Sequence, residues 1–178
     1  MKINRSWAMP NKDTFSIKPI SELINRYTYD PNLRVADPFC NGKRWCDGAI
    51  TNDLDTSLMA DYHLDALDFL KILSDESMDV VLFDPPYSPR QVSECYKKLG
   101  QTVNMQTTQA SYWGNMKREI ARILAPNGVC LTFGWNSGGI GVKYEMDIEE
   151  ILLVAHGGWH NDTIVTVDRK RSDVQMKL

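Results

Sequence analysis

Asp79-Val80-Val81-Leu82-Phe83-Asp84-Pro85-Pro86-Tyr87-Ser88 is the stretch whose reading decides the fold. Its first half is a short apolar run of the kind that forms a strand covered on both faces. Its second half cannot stay in a sheet. Two prolines fix φ and remove two amide donors, so the chain leaves the strand as a stiff, extended loop. That loop presents backbone carbonyls without sheet partners, the carboxylate of Asp84 and the ring of Tyr87. With an ordinary pKa of about 3.9, Asp84 is ionised and acts only as an acceptor. A planar amino group offers two N–H donors, which such a carboxylate and a neighbouring carbonyl can grip while the ring stacks on a flat heterocycle. The competing reading is a proline-capped strand end with Tyr87 packed in the core. At a proline frequency of roughly 5%, the four-residue pattern arises by chance in roughly one chain per hundred of this length.

Moving outward, the same alternation of apolar run, turn and helix-like stretch recurs. Arg34 to Phe39 reads as a strand stopped by Pro38, and Ala49 to Asp53 as a second, shorter one. Leu64 to Leu73 and Trp113 to Leu124 repeat apolar residues at helical spacing. Pro126-Asn127-Gly128 is expected to end the latter helix, with a buried strand over Val129 to Phe133. Asp147 to Ala155 fits a helix or a strand equally, and Thr163 to Val167 is β-branched and alternating, as a last strand would be. Strands alternating with helices predict an α/β fold: a mostly parallel central sheet with helices on both faces. In such sheets ligands bind outside the carboxyl ends of the strands, and Asp37-Pro38-Phe39 and Asp84-Pro85-Pro86-Tyr87 both fall at predicted strand ends.

The 178 residues suit one domain, residues 1–178. Apolar residues at 43% and charged residues at 24% exclude a disordered or collagen-like chain. No apolar run approaches the roughly 20 residues of a membrane span, so no membrane partner is expected. Met1 to Pro10 lacks the apolar stretch of a secretion signal, and the expectation is a cytoplasmic protein. A net charge of −3 argues against attachment to nucleic acid by bulk charge but leaves room for a local basic patch. Cys40, Cys46, Cys95 and Cys130 form no CxxC pair, and with only three histidines no metal site is expected.

Asp84-Pro85-Pro86-Tyr87 resembles the catalytic signature of S-adenosylmethionine-dependent amino methyltransferases, and its Asp form is most similar to the adenine-N6 branch acting on DNA. Asp37-Pro38-Phe39-Cys40-Asn41-Gly42 resembles the family's cofactor loop after the first strand. Asn52-Asp53-Leu54-Asp55 resembles the acidic end of the second strand, and Leu64-Asp65-Ala66 the loop meeting the cofactor adenine. Trp7-Ala8-Met9-Pro10 through Thr14-Phe15 is similar to the segment that closes over the methionine moiety. The likeness runs from residue 7 to about 135, with small phage-type and prokaryotic DNA adenine methyltransferases most alike. It implies a single Rossmann-like methyltransferase domain with S-adenosyl-L-methionine as cofactor. Asp84, Pro85, Pro86 and Tyr87 would then be catalytic. Met9, Pro10, Thr14, Phe15, Asp37, Pro38, Phe39, Asp53, Asp55, Asp65 and Ala66 would hold the cofactor.

Each position also has its own chemistry. Methyl transfer needs donor and acceptor held in line by a rigid frame. An acidic residue at a strand end, Asp53 or its rival Asp55, can accept ribose hydroxyls. Asp65 can accept from an adenine amino group or, equally, cap a helix. The chain departs from the family pattern in its glycine-rich turn, reduced to Asn41-Gly42. Lys43 to Ala49 is too short for a full crossover helix, so the first αβ unit is expected to be abbreviated.

Tyr87, Ser88, Arg90 and Trp135 are the candidate substrate contacts, and residues 88–112 the candidate recognition insertion. That segment interleaves Arg90, Lys97 and Lys98 with Tyr96 and Tyr112, as suits single-stranded or flipped nucleic acid; a surface loop with a short helix is the equal alternative. Arg169-Lys170-Arg171 with Lys177 offers phosphate contacts or a solvated tail. Histidine at 156 is an available but unneeded base. The partner expected is nucleic acid, DNA ahead of RNA, with a dimer or partner subunit for target selection. A methyltransferase acting on adenine N6 of RNA or on another exocyclic amine, and a non-catalytic, methyltransferase-like nucleic-acid-binding subunit, are the alternatives.

Overall fold

The computed structural model describes residues 1–86, 90–91 and 110–172. Seven strands form one sheet: β1 (Lys2–Trp7), β2 (Val35–Asp37), β3 (Ile50–Thr51), β4 (Met78–Phe83), β5 (Leu124–Gly134), β6 (Met146–Ala155) and β7 (Thr163–Lys170). They lie in the order β1-β6-β7-β5-β4-β2-β3. The pairs β1–β6, β2–β3, β2–β4 and β4–β5 are parallel, while β7 is antiparallel to both β5 and β6. Six strands therefore end at the same edge of the sheet, which carries Trp7, Asp37, Thr51, Phe83, Gly134 and Ala155.

Strand alternation sends successive side chains of β4 to opposite faces. Val80 and Leu82 join Ile20, Leu23 and Ile24 of helix α1 (Lys18–Tyr27) in one core. Val81 and Phe83 join Phe69 and Leu70 of α2 (Ala66–Ile72), and Met116 and Ile120 of α3 (Ala110–Ile123), in the other. The expected α/β architecture with helices on both faces is what the chain adopts. Among the described residues no helix is long and apolar enough to cross a membrane.

Several elements differ from their sequence expectations. Asp147 to Ala155 belongs to strand β6, whose residues pair with both β1 and β7. Pro126-Asn127-Gly128 does not separate helix from strand; it lies inside β5, which begins directly after Ile123. The extra residues bulge there, because Met78 pairs with Leu124 but Val80 already pairs with Val129. Asn127 takes φ +65° to make the bend. Edge strand β1 and helix α1 carry weak or unread signals, although Ile17, Ile20, Leu23 and Ile24 lie at helical spacing and are all buried. Of the segment 88–112, residues 110–112 open α3, and residues 88–89 and 92–109 lie outside the described part.

Candidate functional site

Asp37 ends β2 with its side chain 1% exposed. Its Oδ1 accepts the Phe39 amide at 3.1 Å, while Oδ2 is buried and has no hydrogen-bond partner among the described residues. Burial pushes this carboxyl well above the usual carboxylate range, and the charges of Asp84 and Asp53 push the same way against the Phe39 amide. Parallel pairing explains the company: Ala36 of β2 lies beside Val81 of β4, so both strands deliver an acid at adjoining ends.

The loop after β2 is shaped by Asn41 and Gly42, both at positive φ (48° and 72°). No helix crosses from β2 to β3, as the short spacing predicted. Asn52 replaces that support. This buried residue, 1% exposed, donates its amide to the Pro38 and Leu64 carbonyls at 3.1 and 3.0 Å and accepts the Leu64 amide at 3.0 Å. The ends of β2 and β3 and the turn before α2 are tied together by one side chain. Sequence reading passed over Asn52, although a small amide at a strand end beside two acids is a signal for such a clamp.

Asp53 accepts the Asn41 amide on Oδ2 and the Asp55 amide on Oδ1, both at 2.9 Å. Its carboxylate thus faces the loop after β2. Asp55 instead folds onto Ser57, accepting its amide at 2.9 Å and its hydroxyl at 2.6 Å. Those bonds lower the Asp55 carboxyl below its ordinary value, the Ser57 hydroxyl contributing most. Asp65 is the N-cap of α2, accepting the Leu67 amide at 2.9 Å. The Tyr112 hydroxyl, 2.8 Å from Oδ1 and 2.9 Å from Oδ2, also donates to it. Tyr112 is therefore a helical residue docked on Asp65, and Ala66 is buried in the first turn of α2.

Asp84 and Pro86 are half-buried and Pro85 buried directly after β4; Tyr87 and Ser88 lie outside the described residues, and Arg90 is exposed. Beneath the loop, the Phe83 ring packs against Phe39 at 5.9 Å and Trp113 at 6.5 Å between centroids. These ring contacts link the residues next to the two acidic strand ends with α3.

On the other side of the sheet edge the N-terminal segment is pinned down. The Ala8 amide donates to the Ala155 carbonyl at 3.1 Å, and the Ala8 carbonyl lies 2.8 Å from His156 Nδ1. A carbonyl only accepts, so that nitrogen carries a proton; His156 Nε2 meets the Thr163 hydroxyl at 2.8 Å. Both ring nitrogens are thereby engaged, and His156 is a fastening rather than a base. Met9 is exposed, whereas Phe15 is 4% exposed and packs on Phe133 and Trp45 at 4.6 and 5.6 Å, which makes it a core residue. Pro10, Thr14 and Trp135 line a cavity of about 400 Å³ beside His156.

The basic run near the C-terminus is committed elsewhere. Arg169 pairs with Glu149, Arg171 with Asp147, and Lys170 donates to the Leu124 carbonyl at 2.6 Å. These bonds fasten β7 to its neighbours, so Arg169-Lys170-Arg171 does not form a free phosphate patch; Lys177 lies outside the described residues.

No family model matches the chain, and no curated protein matches it. Solved structures do. N-methyltransferase NodS from Bradyrhizobium japonicum superposes with a TM-score of 0.60 at 8% identity, over 87% of this chain and 96% of that one. The 1,6-didemethyltoxoflavin-N1-methyltransferase from Burkholderia thailandensis, solved with bound 1,6-didemethyltoxoflavin and S-adenosylhomocysteine, gives 0.59 at 11% identity over 87% of this chain and 78% of that one. TrmN from Thermus thermophilus gives 0.53 at 15% identity; the match covers 86% of this chain and 49% of that one. At such identities the likeness establishes the fold alone: a Rossmann-like α/β sheet of the kind these methyltransferases have.

Proposed function

We propose that this chain is an S-adenosylmethionine-dependent methyltransferase acting on an exocyclic amine of a nucleobase, with adenine N6 in DNA as the favoured acceptor. The observation that carries the reading is Asp37: a buried carboxyl with an unpartnered oxygen, next to two further acids, at the ligand edge of this fold. An unpaired buried charge is costly, and a cation restores the balance. The cofactor carries an ammonium and a sulfonium, so the acidic edge matches it.

Asp37 would hold the ammonium. Asp53 would take the ribose hydroxyls, because each of its oxygens keeps a lone pair beyond the amide it already accepts. Asp55, turned onto Ser57, is the weaker candidate for that role. Asp65 and Ala66 would border the adenine, and Pro38 and Phe39 the chain between. When bound, the cofactor supplies an electrophilic methyl group on sulfur.

Asp84 would accept an N–H of the target amine, aided by the Pro85 or Pro86 carbonyl, and so aim the nitrogen lone pair at the methyl carbon. The nitrogen–carbon bond forms as the carbon–sulfur bond breaks, and an N–H proton then leaves to water. Such contacts act mainly in the transition state, so their loss appears in turnover. Tyr87 would stack on the extruded base. One feature favours a second reading, a partner-dependent or non-catalytic subunit: the helix-free connection from β2 to β3 leaves the cofactor edge lightly covered. Calorimetric titration with S-adenosylmethionine separates the two. Saturable binding that Asp37→Asn weakens by about tenfold or more supports the enzyme; no binding at millimolar cofactor supports the subunit.

A further inference from the structure

The cavity beside His156 has a different chemistry from the acidic edge. Asn11, Gln91, Trp135, Trp159, His160 and Asn161 line it, with no carboxylate among its lining residues. Its volume of about 400 Å³ fits a nucleobase with its sugar. Trp159 sits at the tip of the β6–β7 loop at 102% relative exposure, and Trp135 is 43% exposed. Gly157 and Gly158 hold that tip at φ +69° and +60°. Trp159 thus lines the cavity with its ring open to solvent and available to stack.

Amides and flat aromatic rings around a neutral pocket are the groups that receive an unpaired base: the rings stack, and the amides meet donors and acceptors on the base edge. Lys12, exposed and next to Asn11 in the chain, is in none of the ion pairs among the described residues and would offer a cation to a neighbouring phosphate. Gln91, which lines the pocket, lies seven residues beyond Asp84 in the chain, while Asp84 itself is not among the lining residues.

We propose that this cavity is a second base subsite, which binds an unpaired nucleobase of the same strand beside the methylated one, with Trp159 as its stacking lid. The proposal rests on the nucleic-acid reading of the catalytic loop, and it makes single-stranded or locally opened polynucleotide the preferred substrate form.

The test is fluorescence anisotropy of the full chain, in S-adenosylhomocysteine, against labelled twelve-nucleotide DNA and RNA single strands and the corresponding DNA duplex. Trp159→Ala removes only an exposed side chain, so the fold should survive, as thermal melting will verify. The expected result is single-strand binding weakened by about fivefold or more, the size of a lost stacking contact, with recovery in Trp159→Phe. Whichever strand the wild type binds more tightly identifies the polymer. Equal affinity of wild type and Trp159→Ala for both single strands, or no wild-type binding to either, would overturn the proposal. Calorimetry with S-adenosylhomocysteine keeps the two readings apart: retained cofactor binding with a silent Trp159→Ala removes the subsite alone, whereas absent cofactor binding removes the enzyme reading.

Discussion

Asn52 and Leu64 pair like two strand residues, the Asn52 side chain accepting the Leu64 amide and donating to the Leu64 carbonyl at 3.0 Å each. A side-chain amide thus does at this edge what a backbone ladder does elsewhere. Beyond β3 the described residues form one isolated bridge, between Asn52 and Tyr62, and the Thr51 carbonyl accepts the Asp61 and Tyr62 amides beside it.

Asn52→Ala should therefore be expensive for a polar substitution. It strands the Pro38 and Leu64 carbonyls and the Leu64 amide in a buried setting. We expect a loss of about 2–4 kcal/mol in urea unfolding, and weaker cofactor binding because Asp37 and Asp53 lose their common anchor. A change below about 0.5 kcal/mol would show that the clamp is dispensable.

Asp37→Asn should separate stability from function. Asn keeps the acceptor for the Phe39 amide but carries no charge. A carboxyl whose folded-state pKa is raised holds its proton more tightly when folded. Its contribution is complete below the unfolded value of about 3.9 and is lost as pH rises through the raised value. Asn avoids that loss. The variant should gain stability relative to wild type between about pH 5 and pH 8, while its affinity for S-adenosylmethionine falls by about tenfold or more. Thermal melts across that range and calorimetry at neutral pH measure both.

The large features were legible in the sequence, and the reason is local. The Asp79 to Phe83 run, its two prolines and the Asp37-Pro38 stop are punctuated by residues whose backbone limits allow few alternatives. The same stretch placed Asp37 and Asp84 at strand ends. What escaped the reading depends on contacts distant in sequence. Strand β1 is stabilised by β6, nearly 150 residues away (Lys2 beside Glu150), and its own six residues carry little pattern. His156 owes its role to Ala8, and Tyr112 to Asp65. The basic run at Arg169 read equally as a phosphate patch or a solvated tail because its acidic partners, Glu149 and Asp147, lie on another strand.

Gly139→Ala should disrupt the far side of the sheet edge. Gly139 sits at φ +49°, and a Cβ there would lie 2.2 Å from Asp168 Oδ2. Asp168 is buried and accepts the Gly141 amide at 3.3 Å, so the loop and β7 would both have to move. A loss of about 2 kcal/mol or more is expected by urea unfolding, from strain and overlap together. Wild-type stability in this variant would mean that the loop rearranges freely.

Asp84→Ala should leave S-adenosylmethionine binding within about threefold of wild type while abolishing turnover, because its contact with the acceptor amine belongs to the chemical step. Calorimetry and single-turnover assays divide the two effects. Removing Asp84 also removes a charge that raises Asp37, so the pH at which cofactor binding strengthens should move downward.

Transfer of a tritiated methyl group from S-adenosylmethionine to single-stranded DNA, duplex DNA and RNA, followed by digestion to nucleosides, addresses the central claim most directly. The account predicts label in N6-methyladenosine or its deoxy form, absent with Asp84→Ala. Label in no nucleoside from any of the three polymers, under conditions where the wild type binds the cofactor, would contradict it.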